Sequence, residues 1–224
     1  MDVRRETTTL VAPTRLSPAE EMANAITHAL GLMLSVVGAV VMAMSVVGQA
    51  DMWRVIGCSV YLASLMAVYA MSTLSHSFQE PRLREFFRAL DQGTIYLLIA
   101  ATYTPFSLVY LRTGPWWILL SSVWAVALWG FVSKVFFSHR LESVSIWPCL
   151  LLGWMPTISV PSLVGIVPIE AFWWMLLGGL CYSLGTIFLR YDYKVKHFHA
   201  VWHLLVIAGS VCHFVAIFAF VARV

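Results

Sequence analysis

Residues 199–221 of the chain are HAVWHLLVIAGSVCHFVAIFAFV, a run that contains no Lys, Arg, Asp or Glu. An α-helix of about 20 mostly apolar residues is long enough to cross the hydrocarbon core of a bilayer. A helix also satisfies its own backbone hydrogen bonds, which lipid cannot do. The stretch therefore predicts a membrane-spanning helix.

Six further stretches of similar length and composition precede it. They are residues 26–48, 53–75, 91–111, 115–137, 146–167 and 170–190. Only 11% of all residues are charged and 60% are hydrophobic, whereas a soluble domain carries about 25% charged residues. The links are short, so consecutive helices are expected to pack antiparallel. We predict an all-α integral membrane protein: a flexible cytoplasmic tail over residues 1–19 and a single seven-helix bundle over residues 20–224.

Lys and Arg are distributed unevenly between the two sides of the predicted bundle. Only three of the fourteen fall on one side, namely Arg54, Arg112 and Arg223. The other eleven are Arg4, Arg5, Arg15, Arg82, Arg84, Arg88, Lys134, Arg140, Arg190, Lys194 and Lys196. Cytoplasmic loops of membrane proteins carry the excess of positive charge. The sequence therefore predicts a cytoplasmic N-terminus and an outside C-terminus.

Two polar segments adjoin the predicted helices on the cytoplasmic side. Ser17, Pro18 and Glu20 have the spacing of a capping box with Pro at the first helical position. This predicts that the first helix begins before the bilayer. Residues 79–89 (QEPRLREFFRA) mix Arg with Leu and Phe, and we expect them to lie along the inner membrane interface.

Ionisable side chains at the helix ends indicate a functional site, because such groups are rare in or near membrane spans. His76 ends the second predicted helix and Asp91 begins the third. His199 and His203 begin the seventh. The helix directions put all four on the cytoplasmic side. His199 and His203 are four residues apart, as are Ser72 and His76, so each pair projects from one helix face.

Three histidines from two helices match the ligand set of a zinc site. Catalytic zinc is typically held by three protein ligands and keeps a fourth position for water. We therefore predict His76, His199 and His203 as metal ligands, with Asp91 beside the metal or its water. Two alternatives stay open: each His can be an ordinary interfacial side chain, and Asp91 can be the N-cap of its helix.

A further polar stripe lies in the first predicted helix. Glu21, Asn24 and His28 occur at i, i+3 and i+7, which places them on one helix face. This face either lines the same cytoplasmic cavity as the histidines or points to lipid headgroups. The pattern alone favours neither.

Four stretches carry a resemblance to a known family. They are EEMANAITHALG (20–31), STLSHSF (72–78), LDQGTIYLLIAATYTPF (90–106) and HAVWHLLVIAGSVCHF (199–214). Together they resemble the bacterial hemolysin III proteins, the prokaryotic branch of the progestin and adipoQ receptor (PAQR) family, also called membrane homeostasis proteins. The combination of SxxxH, a later Asp and HxxxH in a seven-helix chain is specific for this family.

The resemblance implies a cofactor and roles for the site residues. In the eukaryotic adiponectin receptors the matching histidines hold zinc near the cytoplasmic side, with the Asp and Ser close to it. By this resemblance His76, His199 and His203 are zinc ligands, and Asp91 and Ser72 are candidate catalytic residues. The wider superfamily includes alkaline ceramidases, which hydrolyse lipid amides.

We therefore expect a zinc-binding protein of the bacterial inner membrane that acts in membrane lipid homeostasis, as a hydrolase of lipid amides or esters. The expected partners are membrane lipids, with a substrate from the inner leaflet, and no nucleic acid. One alternative is a non-catalytic sensor of membrane state with structural zinc. Another is a pore-forming protein, although the outer halves of the predicted helices are almost wholly apolar.

Overall fold

The computed structural model describes residues 16–48, 51–137 and 146–223. Within these ranges seven helices are long and apolar enough to cross a membrane, and there is no β-strand. The helices are α1 (Pro18–Val46), α2 (Met52–Ser77), α3 (Pro81–Tyr110), α4 (Trp116–Phe136), α5 (Ile146–Leu163), α6 (Ile169–Tyr191) and α7 (Phe198–Ala222). The predicted helical, seven-span architecture is confirmed. Residues 1–15 of the predicted tail lie outside the described residues, and the membrane orientation stays a prediction.

α1 begins at the predicted capping box. The Glu20 backbone N–H donates to Ser17 Oγ at 3.3 Å, and the Ser17 backbone N–H donates to the Glu20 carboxylate at 3.0 Å. Pro18 occupies the first helical position, where its missing N–H leaves no hydrogen bond unmade. The helix therefore starts at residue 18, well before the apolar stretch that begins at residue 26.

α3 begins earlier than the sequence predicted. The Glu80 side chain caps it by accepting a hydrogen bond from the Leu83 backbone N–H at 2.7 Å. Residues 79–89 thus lead into and form the first turns of α3 and are not a separate amphipathic segment. The boundary predicted at residue 91 was wrong, because hydropathy marks where a helix becomes apolar and not where its hydrogen bonding starts. Asp91 lies inside α3, which excludes the alternative that it is the N-cap.

α5 is interrupted near its middle. An α-helical part, Ile146–Trp154, passes into a 3-10 turn at Met155–Ser159 and then into a short α-helical part, Val160–Leu163. Pro156 explains the break, since it has no backbone N–H and its ring clashes with the preceding turn. The span ends at residue 163 and not at residue 167 as predicted.

The packing order of the helices brings distant parts of the chain together. α2 packs against α1 and α3, α3 packs against α4, and α6 packs against α7. α7 also packs against α1. Because the chain alternates direction, α1, α3 and α7 begin at the end of the bundle where α2 finishes. We call this the N-terminal end of the bundle.

Gly31 of α1 permits a close approach to Tyr69 of α2. A β-carbon at residue 31 would overlap the Tyr69 ring, which is buried and donates a hydrogen bond from its hydroxyl to Ser210 Oγ at 2.8 Å. Because the ring is held in place, Gly31→Ala should destabilise the protein by about 1–3 kcal/mol. A lower melting temperature in detergent would show this. Gly153→Ala is the matched control, since no described atom lies within 4 Å of a β-carbon there; equal melting temperatures would contradict the prediction.

Candidate metal centre

His76, His199 and His203 meet at the N-terminal end of the bundle. One possible ligand atom from each lies within 4.8 Å of the others. The ring centroids are 5.1 Å apart for His76 and His199, and 4.6 Å apart for His199 and His203. Donors at about 2.1 Å around a tetrahedral ion are about 3.4 Å apart, so small side-chain rotations would bring the three rings to ligand spacing.

Two of the three histidines are oriented by carboxylates. The His76 Nδ1 lies 2.7 Å from Glu21 Oε2, and the His199 Nδ1 lies 2.8 Å from Asp192 Oδ2. An ionised carboxylate can only accept hydrogen bonds, so Nδ1 carries the proton in both rings. Each Nε2 is therefore left with a lone pair, the state in which a histidine binds a metal.

The third histidine is oriented by a hydroxyl. Thr27 donates its single O–H to the backbone carbonyls of Ala23 and Asn24, at 2.9 Å each. Its Oγ1 also lies 3.1 Å from the His203 Nδ1, and the His203 ring is within hydrogen-bond reach of the Asn24 backbone. With the hydroxyl proton on a backbone carbonyl, the His203 Nδ1 would donate to Oγ1 and its Nε2 would keep a lone pair, as in the other two rings.

These hydrogen bonds fit a zinc site. Histidine ligands of metals almost always donate their other ring N–H to an oxygen, which fixes the tautomer and the ring orientation. The His76 Nε2 is buried and has no hydrogen-bond partner among the described residues. Three neutral imidazoles with oriented rings form a donor set that zinc accepts, with a position left for water or substrate.

Asp91 and Ser72 lie next to the histidines, where the sequence placed them. Asp91 accepts a hydrogen bond from the Ser75 hydroxyl at 3.2 Å and is close enough to His76 and His199 to interact electrostatically. Ser72 is buried next to the same carboxylate, close enough for its hydroxyl to interact with Asp91. The site thus contains a carboxylate with two serine hydroxyls beside it.

The polar stripe of α1 faces the site and not the lipid headgroups. Glu21, Asn24 and His28 are 4%, 1% and 3% exposed. The His28 ring stacks on the His203 ring at a centroid distance of 3.5 Å and an interplanar angle of 22°. His28 therefore packs against the His203 ring, and it is not one of the three histidines whose possible ligand atoms lie within 4.8 Å of one another. This outcome resolves the alternative that the sequence left open.

Three residues that contact His203, His199 and Asp91 were not identified from the sequence, namely Thr27, Asp192 and Ser75. Thr27 lies in the same stretch as Asn24 and His28, residues 20–31. Nothing in that stretch indicated that Thr27 would contact α7. Asp192 lies in the link between α6 and α7, and Ser75 lies one residue before His76. Each is an ordinary polar residue in the sequence, and only its neighbour in space gives it a role.

Comparison with known proteins gives consistent matches along the chain. A sequence model of the family described as haemolysin-III related matches residues 16–214. The chain is 36% identical over 202 residues to "Hemolysin-3" of Bacillus cereus, which covers 90% of this chain and 92% of that protein. It is 35% identical over 205 residues to "Hemolysin-3 homolog" of Bacillus subtilis (strain 168), with coverage of 92% and 96%.

A more distant similarity extends to animals. The chain is 28% identical over 214 residues to the human "Monocyte to macrophage differentiation factor", which covers 91% of this chain and 85% of that protein. No solved structure matches the chain. The residues of the candidate metal centre, from Glu21 to His203, all lie inside the region that the family model matches.

Proposed function

This chain belongs to the haemolysin-III related family, and on that premise we propose that it is a zinc-dependent hydrolase of membrane lipids. It would bind zinc through His76, His199 and His203 and cleave an amide or ester bond of a lipid that enters from the inner leaflet. Its role would be in lipid homeostasis of a bacterial inner membrane. A cytoplasmic N-terminus is supported by the distribution of Lys and Arg.

The single observation that supports the proposal most is the cluster of three imidazoles, whose possible ligand atoms lie within 4.8 Å of one another. Each ring has its Nδ1 at hydrogen-bond distance from an oxygen, at 2.7 Å, 2.8 Å and 3.1 Å. Polar groups near a membrane span are costly. A cluster of three such groups is explained by a ligand that they share.

The neighbouring side chains are suited to acyl hydrolysis. Zinc in such a site supplies Lewis acidity and a water activated for attack near neutral pH. Asp91, which lies next to Ser75, would accept the proton that the attacking water loses and pass it to the leaving nitrogen or oxygen as the acyl bond breaks. The Ser72 hydroxyl would donate a hydrogen bond to the carbonyl oxygen as negative charge develops on it. The buried polar atoms of Asn24 and His28 would contact the polar part of the lipid.

Turnover of defined lipids tests this function. Purified protein in liposomes is incubated with one N-acyl lipid and one O-acyl lipid, and free fatty acid is measured by mass spectrometry. We expect release from at least one of the two, loss of that release after treatment with a zinc chelator, and recovery when zinc is added back. The proposal would be contradicted by fatty-acid release that the chelator does not affect. It would also be contradicted if zinc-loaded protein released no fatty acid from either lipid.

A structural role for zinc is the second candidate. The proposed ligands come from α2 and α7, which lie far apart in the sequence, so an ion between them would hold the two helices together. Because an ion that binds only the folded state stabilises it, chelation would lower the melting temperature. In this case no lipid product would form at any zinc concentration.

A further inference from the structure

The carboxylate of Glu21 connects three helices. Glu21 lies in the first turn of α1, and its side chain is 5% exposed. Its Oε2 is 2.7 Å from the His76 Nδ1 at the end of α2. Its Oε1 pairs with the Arg84 guanidinium in the first turns of α3. A residue of α1, outside the set of three histidines, thus contacts both a proposed ligand and a cation.

A buried carboxylate is stable only when its charge is compensated. Removing an isolated carboxylate from water is very costly, and burial is tolerated when the group is paired and hydrogen-bonded. Arg84 supplies the opposite charge for Glu21. With Arg84 on one oxygen, the other oxygen stays available to hold the Nδ1–H of His76 in a fixed direction.

The three oriented histidines differ in how firmly they are held. Asp192, which orients His199, lies in a link and its side chain is 24% exposed. Thr27, which orients His203, is a neutral hydroxyl. Glu21 is both charged and buried, and a hydrogen bond to a charged group is stronger where water is excluded. Among the three, Glu21 should therefore have the largest influence on its ligand.

We propose that Glu21, held in place by Arg84, is a positioning residue of the metal centre and sets how tightly it binds zinc. This inference rests on the proposed zinc site. Glu21 fixes the tautomer and direction of the His76 ring and increases the basicity of its Nε2, as carboxylates do behind other histidine ligands. Arg84 acts on the metal centre through Glu21. The zinc affinity is therefore coupled to the first turns of α3.

Zinc affinity of purified full-length variants tests the proposal, by competition with a chromophoric chelator. Glu21→Gln keeps the size of the side chain and an acceptor oxygen but removes the charge. We expect it to bind zinc about 10–100-fold more weakly than wild type and to change the visible absorption spectrum of bound cobalt(II), which reports ligand geometry. Glu85→Gln, at an exposed position of α3, is the matched control and should leave both readouts unchanged.

A double variant tests whether Arg84 acts through Glu21. Arg84→Gln should also weaken zinc binding. The double variant Glu21→Gln/Arg84→Gln should bind zinc no more weakly than Glu21→Gln alone, because the effects of substituting two residues that act as one unit are not additive. Arg82→Gln, at an exposed position of α3, is the control for Arg84. Additive losses would overturn the role assigned to Arg84.

The outcomes separate this inference from the proposed function. Wild-type protein that binds no zinc would overturn both. Wild-type protein that binds zinc with the same affinity as Glu21→Gln would overturn only the role of Glu21. Melting of each variant in excess chelator shows whether Glu21 serves helix packing instead. The proposal is contradicted if Glu21→Gln fails to fold. It is also contradicted if the variant is destabilised relative to wild type by as much in excess chelator as in the presence of zinc.

Discussion

Replacing His199 and His203 together by Ala is expected to reduce the zinc content of the purified protein from about one ion per chain to background. Structural sites bind zinc with a total free energy of about 10–16 kcal/mol, which is roughly 3 kcal/mol for each of four ligands. Losing two ligands should therefore weaken binding by roughly 10⁴-fold. His76 alone would not retain the ion through purification.

Elemental analysis of the purified variant measures this result. The matched control is His213→Gln, which changes a histidine of the same helix whose ring stacks on Tyr182 at 5.4 Å and lies outside the cluster of three. The control should keep its zinc. A double variant with a full complement of zinc would refute the metal centre, and only the architecture of the membrane bundle would remain.

The second large effect is expected at Asp91. Asp91→Asn should lower the rate of lipid hydrolysis by about 10²–10⁴-fold, the usual contribution of a general base, while the zinc content stays the same. The amide keeps the shape of the side chain and can still accept a hydrogen bond from Ser75, which is 3.2 Å from the carboxylate. What it loses is the ability to take a proton from water.

Turnover and zinc content measured on the same sample separate catalysis from metal binding. Glu85→Gln is the control on the same helix, because it removes one carboxylate at an exposed position. Equal turnover by wild type and Asp91→Asn would argue strongly against the hydrolase. Loss of zinc together with turnover would instead place Asp91 among the groups that hold the ion.

The local sequence predicted the features that depend on the chain alone. Length and hydropathy of the apolar runs predicted the helical spans, because a helix that crosses lipid must be long, apolar and internally hydrogen-bonded. The spacing of Ser17 and Glu20 predicted the start of α1, since a capping box is made within a single turn. Chain direction placed His76, His199 and His203 at one end of the bundle.

Hydropathy failed where a helix extends beyond its apolar part. The first turns of α3 contain Arg84 and are held by the Glu80 cap. These polar turns belong to the helix by hydrogen bonding, whereas the composition of residues 79–89 suggested a separate segment. The same error placed Asp91 at a helix start, where it would have been a cap and not a half-buried carboxylate beside the histidines.

Only the tertiary structure decided which side chains meet. The sequence gives the face on which Glu21 and His28 lie, but the direction of that face depends on the rotation of α1 about its axis and on its packing against α2 and α7. That packing sets Glu21 between His76 and Arg84, and Thr27 beside His203. Spacing along a helix is a local property of the chain, whereas contacts between helices join residues far apart in the sequence, 176 positions in the case of Thr27 and His203.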